Sequence, residues 1–151
     1  MRVERADISD AEEILTLIKR AFTPVGEQYD DPDLPPLAET LDEHRAIYAR
    51  GVVLKAIEDD RIVGSVQGIL QEDGCCYIAR LVVEPMLQSR GIGRTLAMEL
   101  EKQFPEATGF SLFTGHRSEE TLGLYSSLGY VETRRERVND TLTLVWMEKR
   151  G

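Results

Sequence analysis

The sequence predicts a single α/β (α+β) domain in which a mixed sheet carries helices on both faces. Three observations predict it. The chain has 151 residues, a length that favours one compact core over two. Apolar residues recur at strand spacing in some segments and at helix spacing in others. Short turns separate these segments, with no internal repeat, low-complexity tract or linker, so residues 1–151 read as one domain.

Residues 2–6 read as a short first strand. Ser9 with Glu12 three residues on is a capping-box signature, and the helix that follows puts Ile14, Leu17, Ile18, Ala21 and Phe22 on one face. Pro24, Pro32, Pro35 and Pro36, with Gly26 and the Asp30-Asp31 pair, make residues 23–37 a long loop. A second helix over 37–50 spaces Leu41, Arg45 and Tyr48 for one face and leads to Gly51. Then VVLKAIE, RIVGSVQGILQ and CCYIARLVVEP read as three strands joined by hairpin turns at Asp59-Asp60 and at residues 72–74, the third ended by Pro85.

Residues 91–104 place Ile92, Leu96, Leu100 and Phe104 on one helix flank. A strand over 109–114 follows. Ser118 then stands as an N-cap, Glu119 and Glu120 suit a helix's positive end, Leu124, Tyr125 and Leu128 give the helix a face, and Gly129 closes it. Residues 130–138 and 141–148 form a last hairpin about Asn139-Asp140.

Lys and Arg number 18 and Asp and Glu 27, a net charge of −9. That balance argues against a nucleic-acid-tracking face, while leaving room for a local basic site. No run approaches the roughly eighteen apolar residues of a membrane span, and the charged start MRVERADISD is unlike a signal peptide. The expectation is a cytoplasmic protein without nucleic-acid or membrane partners. Cys75 and Cys76 are adjacent and on a strand would face opposite ways, which offers neither a disulfide framework nor a metal knuckle. They read as core thiols, and no metal site is expected.

Residues 81–94 run from a strand through a turn into a helix. Such a junction leaves backbone N–H groups unpaired, and Gly91 and Gly93 clear the approach of an anion. Arg90 and Arg94 can add charged hydrogen bonds to a diphosphate. Plain turn chemistry is the alternative. No Gly-Lys-Ser or Gly-Lys-Thr follows, so this is no Walker A loop, and the glycine spacing and the preceding hairpin strands do not fit a dinucleotide fingerprint.

Gln88-Ser89-Arg90-Gly91-Ile92-Gly93 resembles the Q/R-x-x-G-x-G/A turn of the GCN5-related N-acetyltransferase (GNAT) family, and it follows Leu81-Val82-Val83 and Pro85 at that family's spacing. Leu124-Tyr125-Ser126-Ser127-Leu128-Gly129-Tyr130 resembles the family's L-Y-x-x-x-G-F/Y block. The element order agrees over nearly the whole chain. The resemblance implies a mixed, mostly antiparallel seven-stranded sheet and an acetyl-CoA-dependent N-acetyltransferase. It places the pantetheine arm of acetyl-CoA on the backbone of Leu81, Val82 and Val83, with the Val83 N–H as oxyanion donor, and the pyrophosphate on the turn after Gln88, on the amides of Ser89, Arg90, Gly91, Ile92, Gly93 and Arg94.

The resemblance also makes Tyr125 the acid that protonates the departing thiolate, a role a phenol with reference pKa near 10 can fill at neutral pH. Core packing alone is the plainer use of such a tyrosine. Two positions depart from the family pattern. Ser118 stands where the family often has a cofactor-binding Asn, and is carried over as a weak cofactor contact. Tyr77 stands where some relatives have a catalytic Glu or His, and Ala79 is no base either. Glu27, Glu72, Glu84 and His116 are conceivable bases, each equally a loop or surface residue, and His44 has no functional context.

Between Ala21 and His44 lie seven acids (Glu27, Asp30, Asp31, Asp33, Glu39, Asp42, Glu43) and no Lys or Arg, in the region that walls the family's acceptor site. The expected acceptor is a primary amine, with a polycationic small molecule or a peptide N-terminus favoured by the acids and a solvated acidic loop as the alternative. A non-catalytic acyl-CoA sensor is the competing function, and a mononucleotide-binding domain a third. The final hairpin, with Val138, Leu142, Leu144, Val145 and Trp146, offers either a homodimer face or internal core.

Overall fold

A computed structural model describes all residues, 1–151. Strands β1 (Arg2–Arg5), β2 (Val52–Glu58), β3 (Arg61–Leu70), β4 (Cys75–Val83), β5 (Gly109–Gly115), β6 (Val131–Arg137) and β7 (Thr143–Arg150) form one sheet in the order β1-β2-β3-β4-β5-β7-β6. Every neighbouring pair is antiparallel except β4 and β5. Those two are joined through helix α4 (Ile92–Lys102), the kind of crossover that a parallel pair requires.

Helices α1 (Ala11–Gln28) and α3 (Leu41–Arg50) bury Ile14, Leu17, Ile18 and Ile47 with Val53, Ile62 and Val82 of the sheet. A larger cluster joins Ile92, Leu96, Leu100 and Phe104 of the α4 region and Tyr125 of α5 (Glu119–Ser127) to Val66, Ile78, Phe110 and Val145. β3 lies between the two clusters and is buried from Ile62 to Gly68, which is why its sequence is nearly all apolar or small rather than alternating. Two of its glycines set how closely α4 approaches. A Cβ at Gly64 would stand 2.9 Å from Leu96, and one at Gly68 2.7 Å from Phe104.

The structure moves several sequence-derived boundaries. The first capping box belongs to Asp7 and Asp10, with Asp7 accepting from the Ser9 N–H at 2.8 Å, rather than to Ser9 and Glu12. It opens a 3-10 turn, Ile8–Asp10, that leads into α1. The expected loop over 23–37 is helical in its first part, because α1 continues through Pro24 to Gln28, and a short helix α2 spans Pro35–Ala38. Pro24 costs α1 one backbone bond, while Val25 and Gly26 beyond it still turn toward the protein interior. The helix ends in a Schellman motif: the Asp31 N–H donates to the Gly26 carbonyl at 2.8 Å, the Asp30 N–H to Glu27 at 3.2 Å, and Asp30 is left-handed at φ +51°.

Helix α3 starts at Leu41, capped by a Thr40–Glu43 box, and its buried residues are His44 and Ile47, not the expected Leu41, Arg45 and Tyr48 row. Cys76 is fully buried and Cys75 half-buried, both with free thiols, and burial pushes the Cys76 thiol up to about 12. Within the last hairpin Leu142 and Val145 are buried inside the chain, whereas Val138 and every residue of β6 are exposed. No helix is long and apolar enough to cross a membrane.

The Gly68 contact yields a stability prediction. Gly68→Ala forces a methyl against the buried Phe104 ring, and overpacking of this kind costs about 1–3 kcal/mol. Urea denaturation should show a lower midpoint at an unchanged m-value.

Candidate active site

The site begins with a fault in the β3–β4 ladder. Ser65 pairs with Val82 and Gln67 with Ala79, so Arg80 and Leu81 together face Val66 alone. This is a β-bulge, which bends the strand and raises its twist. Arg80 takes it up in the left-handed region, at φ +55°, where residues other than glycine are uncommon. On its other side β4 pairs with β5 only from Cys75↔Gly109 to Tyr77↔Ser111, and beyond Tyr77 the two strands part.

A cavity of about 390 Å³ occupies the gap. Residues 77–83 of β4 and 112–115 of β5 form its walls, Ser118, Thr121 and Tyr125 border it from α5 and the turn before it, and Ala21, Phe22 and Val25 border it from α1. The Glu84 N–H donates to the Val63 carbonyl at 2.7 Å. Because successive N–H groups along a strand alternate in direction, the Val83 N–H is turned away from β3, toward the side on which β4 has left β5.

Next to the cavity the chain turns into α4. Gly91 is the N-cap residue at φ +83°, and Ser89 is also left-handed at φ +67°. The amides of Ile92, Gly93 and Arg94 lie in the first turn, where no intrahelical acceptor exists, and no turn or cap bond takes up those of residues 89–94. Gly91 is demanded by its φ. Gly93 is not: its φ is ordinary, and a Cβ there would make only van der Waals contact, 3.6 Å from both Val83 and Leu124. Its missing side chain lets the first turn of α4 sit directly on the side chains of Leu81, Val83 and Leu124. The unpaired amides at the start of α4 fit an anionic group. Arg94 donates to the Ser127 hydroxyl at 2.7 Å, and Arg90 is exposed. Gln88 lines the cavity, whereas Ser89, Arg90, Gly91, Ile92, Gly93 and Arg94 are not part of its lining.

Helix α5 ends in a second Schellman motif. The Tyr130 N–H donates to the Tyr125 carbonyl at 3.0 Å and the Gly129 N–H to Ser126 at 3.1 Å, with Gly129 at φ +99°. This turn brings Tyr130 back onto Tyr125, ring edge to face at 5.1 Å. Tyr130 is fixed in turn by donating to Glu101 at 2.9 Å, and Lys149 pairs with the same carboxylate at 2.9 Å. Tyr125 is only 2% exposed yet borders the cavity. Burial raises its phenol well above the ordinary value, so it stays protonated.

Ser118 sits at the N-cap position of α5 but does not cap it. Its Oγ lies 3.2 Å from the Tyr29 hydroxyl, which accepts from the Arg117 N–H at 2.8 Å. Tyr29 is 1% exposed, and a Cβ at Gly115 would overlap its hydroxyl. This tyrosine, which clips the end of α1 to the β5–α5 turn, lies inside the stretch read from sequence as loop, and no periodicity marks it.

None of the conceivable bases borders the cavity. Glu27 and Glu72 are exposed. Glu84 pairs with Arg20, its Oε1 3.1 Å from Nε, and that partner holds its carboxyl below the usual range. His116 accepts the Thr143 N–H at 3.0 Å and leans on Tyr29. Tyr77 and Ala79 do line the cavity, and Asp31 is the one carboxylate that does; its Oδ1 accepts the Asp33 N–H at 2.9 Å.

The other six acids of the 21–44 stretch lie elsewhere. Glu27, Asp30, Asp33, Asp42 and Glu43 are exposed, Glu43 serving in the α3 cap. Glu39 is turned inward, 3.7 Å from Arg80 and 3.6 Å from His44. His44, without context in the sequence, is wholly buried, with Nε2 2.9 Å from the Tyr48 hydroxyl.

Residues 38–150 match the family described as the acetyltransferase (GNAT) domain, and no curated protein sequence matches the chain. Among solved structures, ribosomal-protein-alanine N-acetyltransferase from Brucella melitensis superposes with a TM-score of 0.81 at 18% identity, covering 100% of both chains. YncA from Salmonella typhimurium, a putative acetyltransferase solved with its cofactor acetyl-CoA, gives 0.80 at 18% identity over 99% of this chain and 93% of that one. The PaiA N-acetyltransferase from Thermoplasma acidophilum, solved with coenzyme A, gives 0.76 at 17% identity over 100% of both. These likenesses establish a shared fold. The family match extends over most of the sequence, including the bulged strand, the glycine turn and the tyrosine helix end, and the chain therefore belongs to the GNAT acetyltransferase family.

Proposed function

We propose that this chain is an N-acetyltransferase that moves the acetyl group of acetyl-CoA directly to a primary amine. The observation that carries the reading is the gap between β4 and β5, whose cavity is lined by both Val83 and Tyr125. When bound, acetyl-CoA supplies the thioester carbon: the amine nitrogen bonds to it, the C–S bond breaks, the amine gives up a proton and the sulfur leaves as thiol. The backbone of Leu81, Val82 and Val83 aligns the pantetheine arm. The Val83 N–H meets the charge that develops on the carbonyl oxygen, an effect worth about 2.7–4 kcal/mol where single donors have been removed elsewhere.

The amides of residues 89–94 hold the pyrophosphate at the positive end of α4, with Arg90 and Arg94 adding charge and Gln88 and Ser118 bordering the arm. Tyr125 holds the proton that the sulfur takes. All these groups come from one chain, so the reading does not depend on pairing through the last hairpin.

Three outcomes test the reading. Acetyl-CoA at 100 times its Kd should stabilise the protein by about 2.7 kcal/mol, visible as a rise in Tm that ATP does not reproduce. Tyr125→Phe keeps the ring on Tyr130 and should lower kcat by about 100-fold or more while leaving the acetyl-CoA shift intact; an unchanged kcat would assign Tyr125 to packing alone. Thiol release as a function of pH should rise as the amine loses its proton. Because burial raises the Tyr125 pKa, its acid form persists, and no descending limb should begin below about pH 10. A thermal shift with no thiol release from any amine would favour the acyl-CoA sensor instead.

A further inference from the structure

We infer that the acceptor is a hydrophobic monoamine, an alkyl or arylalkyl amine with a single positive charge. The inference rests on the N-acetyltransferase reading of the same cavity and concerns the end of it remote from the glycine turn. That end is built by the last turns of α1, by residues 31–36 and by the segment entering β7. Tyr29, Leu34 and Leu142 are buried together there, with Val25, Leu37 and Leu144 packed on them. The Thr141 hydroxyl donates to the Tyr29 carbonyl at 2.7 Å and ties the two segments. The surface they present to the cavity is apolar, with Phe22, Val25, Leu34, Leu142 and Leu144 in the wall and Phe113 also in the lining.

The charge of that wall is small. Asp31 and Arg80 are its only charged side chains, and Arg80 has Glu39 beside it, at 3.7 Å. Asp31 can accept one ammonium group. A second ammonium on the same acceptor would leave water for a wall that holds no second carboxylate, an unfavourable transfer. Each methylene of an apolar chain gains instead, by about 0.8 kcal/mol when buried, or about fourfold in affinity. Apolar surroundings also lower the pKa of the bound ammonium, which eases the proton loss that acetyl transfer needs in a site with Tyr77 and Ala79, rather than an acid, on the strand. An acidic wall would have the opposite effect on that pKa.

The test uses the intact chain, acetyl-CoA, and ethylamine, butylamine, hexylamine, 1,4-diaminobutane and spermidine. Butylamine and 1,4-diaminobutane share a four-carbon chain and differ in the second charge. We expect kcat/KM to rise at least tenfold from ethylamine to hexylamine and to be at least tenfold higher for butylamine than for the diamine. In the CoA-saturated protein, calorimetry should show hexylamine binding more tightly than 1,4-diaminobutane. Phe22→Glu, which puts a charge into the apolar wall, should collapse the hexylamine to ethylamine ratio and raise the relative use of the diamine. Equal or greater use of the diamine or spermidine, or neither turnover nor binding of any alkylamine, would overturn the inference. The acetyl-CoA thermal shift, recorded on the same samples, separates the two levels: if it is present while diamines are preferred, only the acceptor assignment fails, and if it is absent the cofactor site fails with it.

Discussion

The β-bulge at Arg80 and Leu81 is the feature on which the rest of the site depends. A regular β4 would pair with β5 along its length and leave no room between them. With two residues set against Val66, β4 is turned out of line, its pairing with β5 stops at Tyr77, and the backbone of residues 81–83 gains an open flank inside an otherwise closed sheet. The left-handed φ of Arg80 is a cost borne at that position, and β3, buried on both faces, holds the strand that bears it. The parallel step from β4 to β5 then delivers α4 directly after the bulged strand, so the open backbone and the free helix-end amides adjoin.

Two helix ends of the same design show what a sequence reveals and what it hides. Both α1 and α5 close with Schellman motifs. At α5 the left-handed position is Gly129, an unmistakable stop signal, and the tyrosines on either side of the turn meet because the motif folds the chain back on its last turn. The same position in α1 is Asp30, an aspartate among prolines and other acids, and that composition reads as loop. Helix α1 survives Pro24 because Val25, Gly26 and Tyr29 beyond it are still worth burying, and tertiary packing of this kind leaves no local mark. The residue hidden in this way is Tyr29, whose hydroxyl organises the β5–α5 turn from 89 residues away in sequence.

The site divides in the same way. The strand, the glycine turn and the tyrosine helix end are contiguous motifs and are legible as such, while the roles proposed for Leu81, Val82, Val83 and Tyr125 come from the family resemblance. The bulge is not legible, because Ile78-Ala79-Arg80-Leu81 carries no glycine to announce a positive φ. The acids of residues 21–44 were visible as a count but not as directions. Helix caps, solvent and a buried partnership with Arg80 and His44 take up all but Asp31, and none of these uses can be read from charge density alone. The acceptor end brings the stretch from the last turns of α1 to residue 36 against the distant segment entering β7, so its apolar character belongs to the fold rather than to any motif.

That apolar character bears on the chemistry as a whole. Acetyl transfer to an amine asks for two groups in their neutral forms, an acid that still has its proton and an amine that has lost one. Free in water at neutral pH the phenol meets its requirement and the amine, with a reference pKa near 10.4, does not. Desolvation disfavours whichever form is charged, which helps the amine lose its proton and keeps the phenol protonated while making it a weaker donor. It raises the Tyr125 phenol, and it lowers an ammonium bound against Phe22, Leu34 and Leu142. In the proposed reaction the apolar wall therefore favours the neutral amine, and its proton passes to water rather than to an acid on β4, where Tyr77 and Ala79 stand. Asp31 works against this by favouring the ammonium, so its use lies in drawing the amine in and orienting it, while the surrounding apolar wall favours release of the proton once the amine is seated.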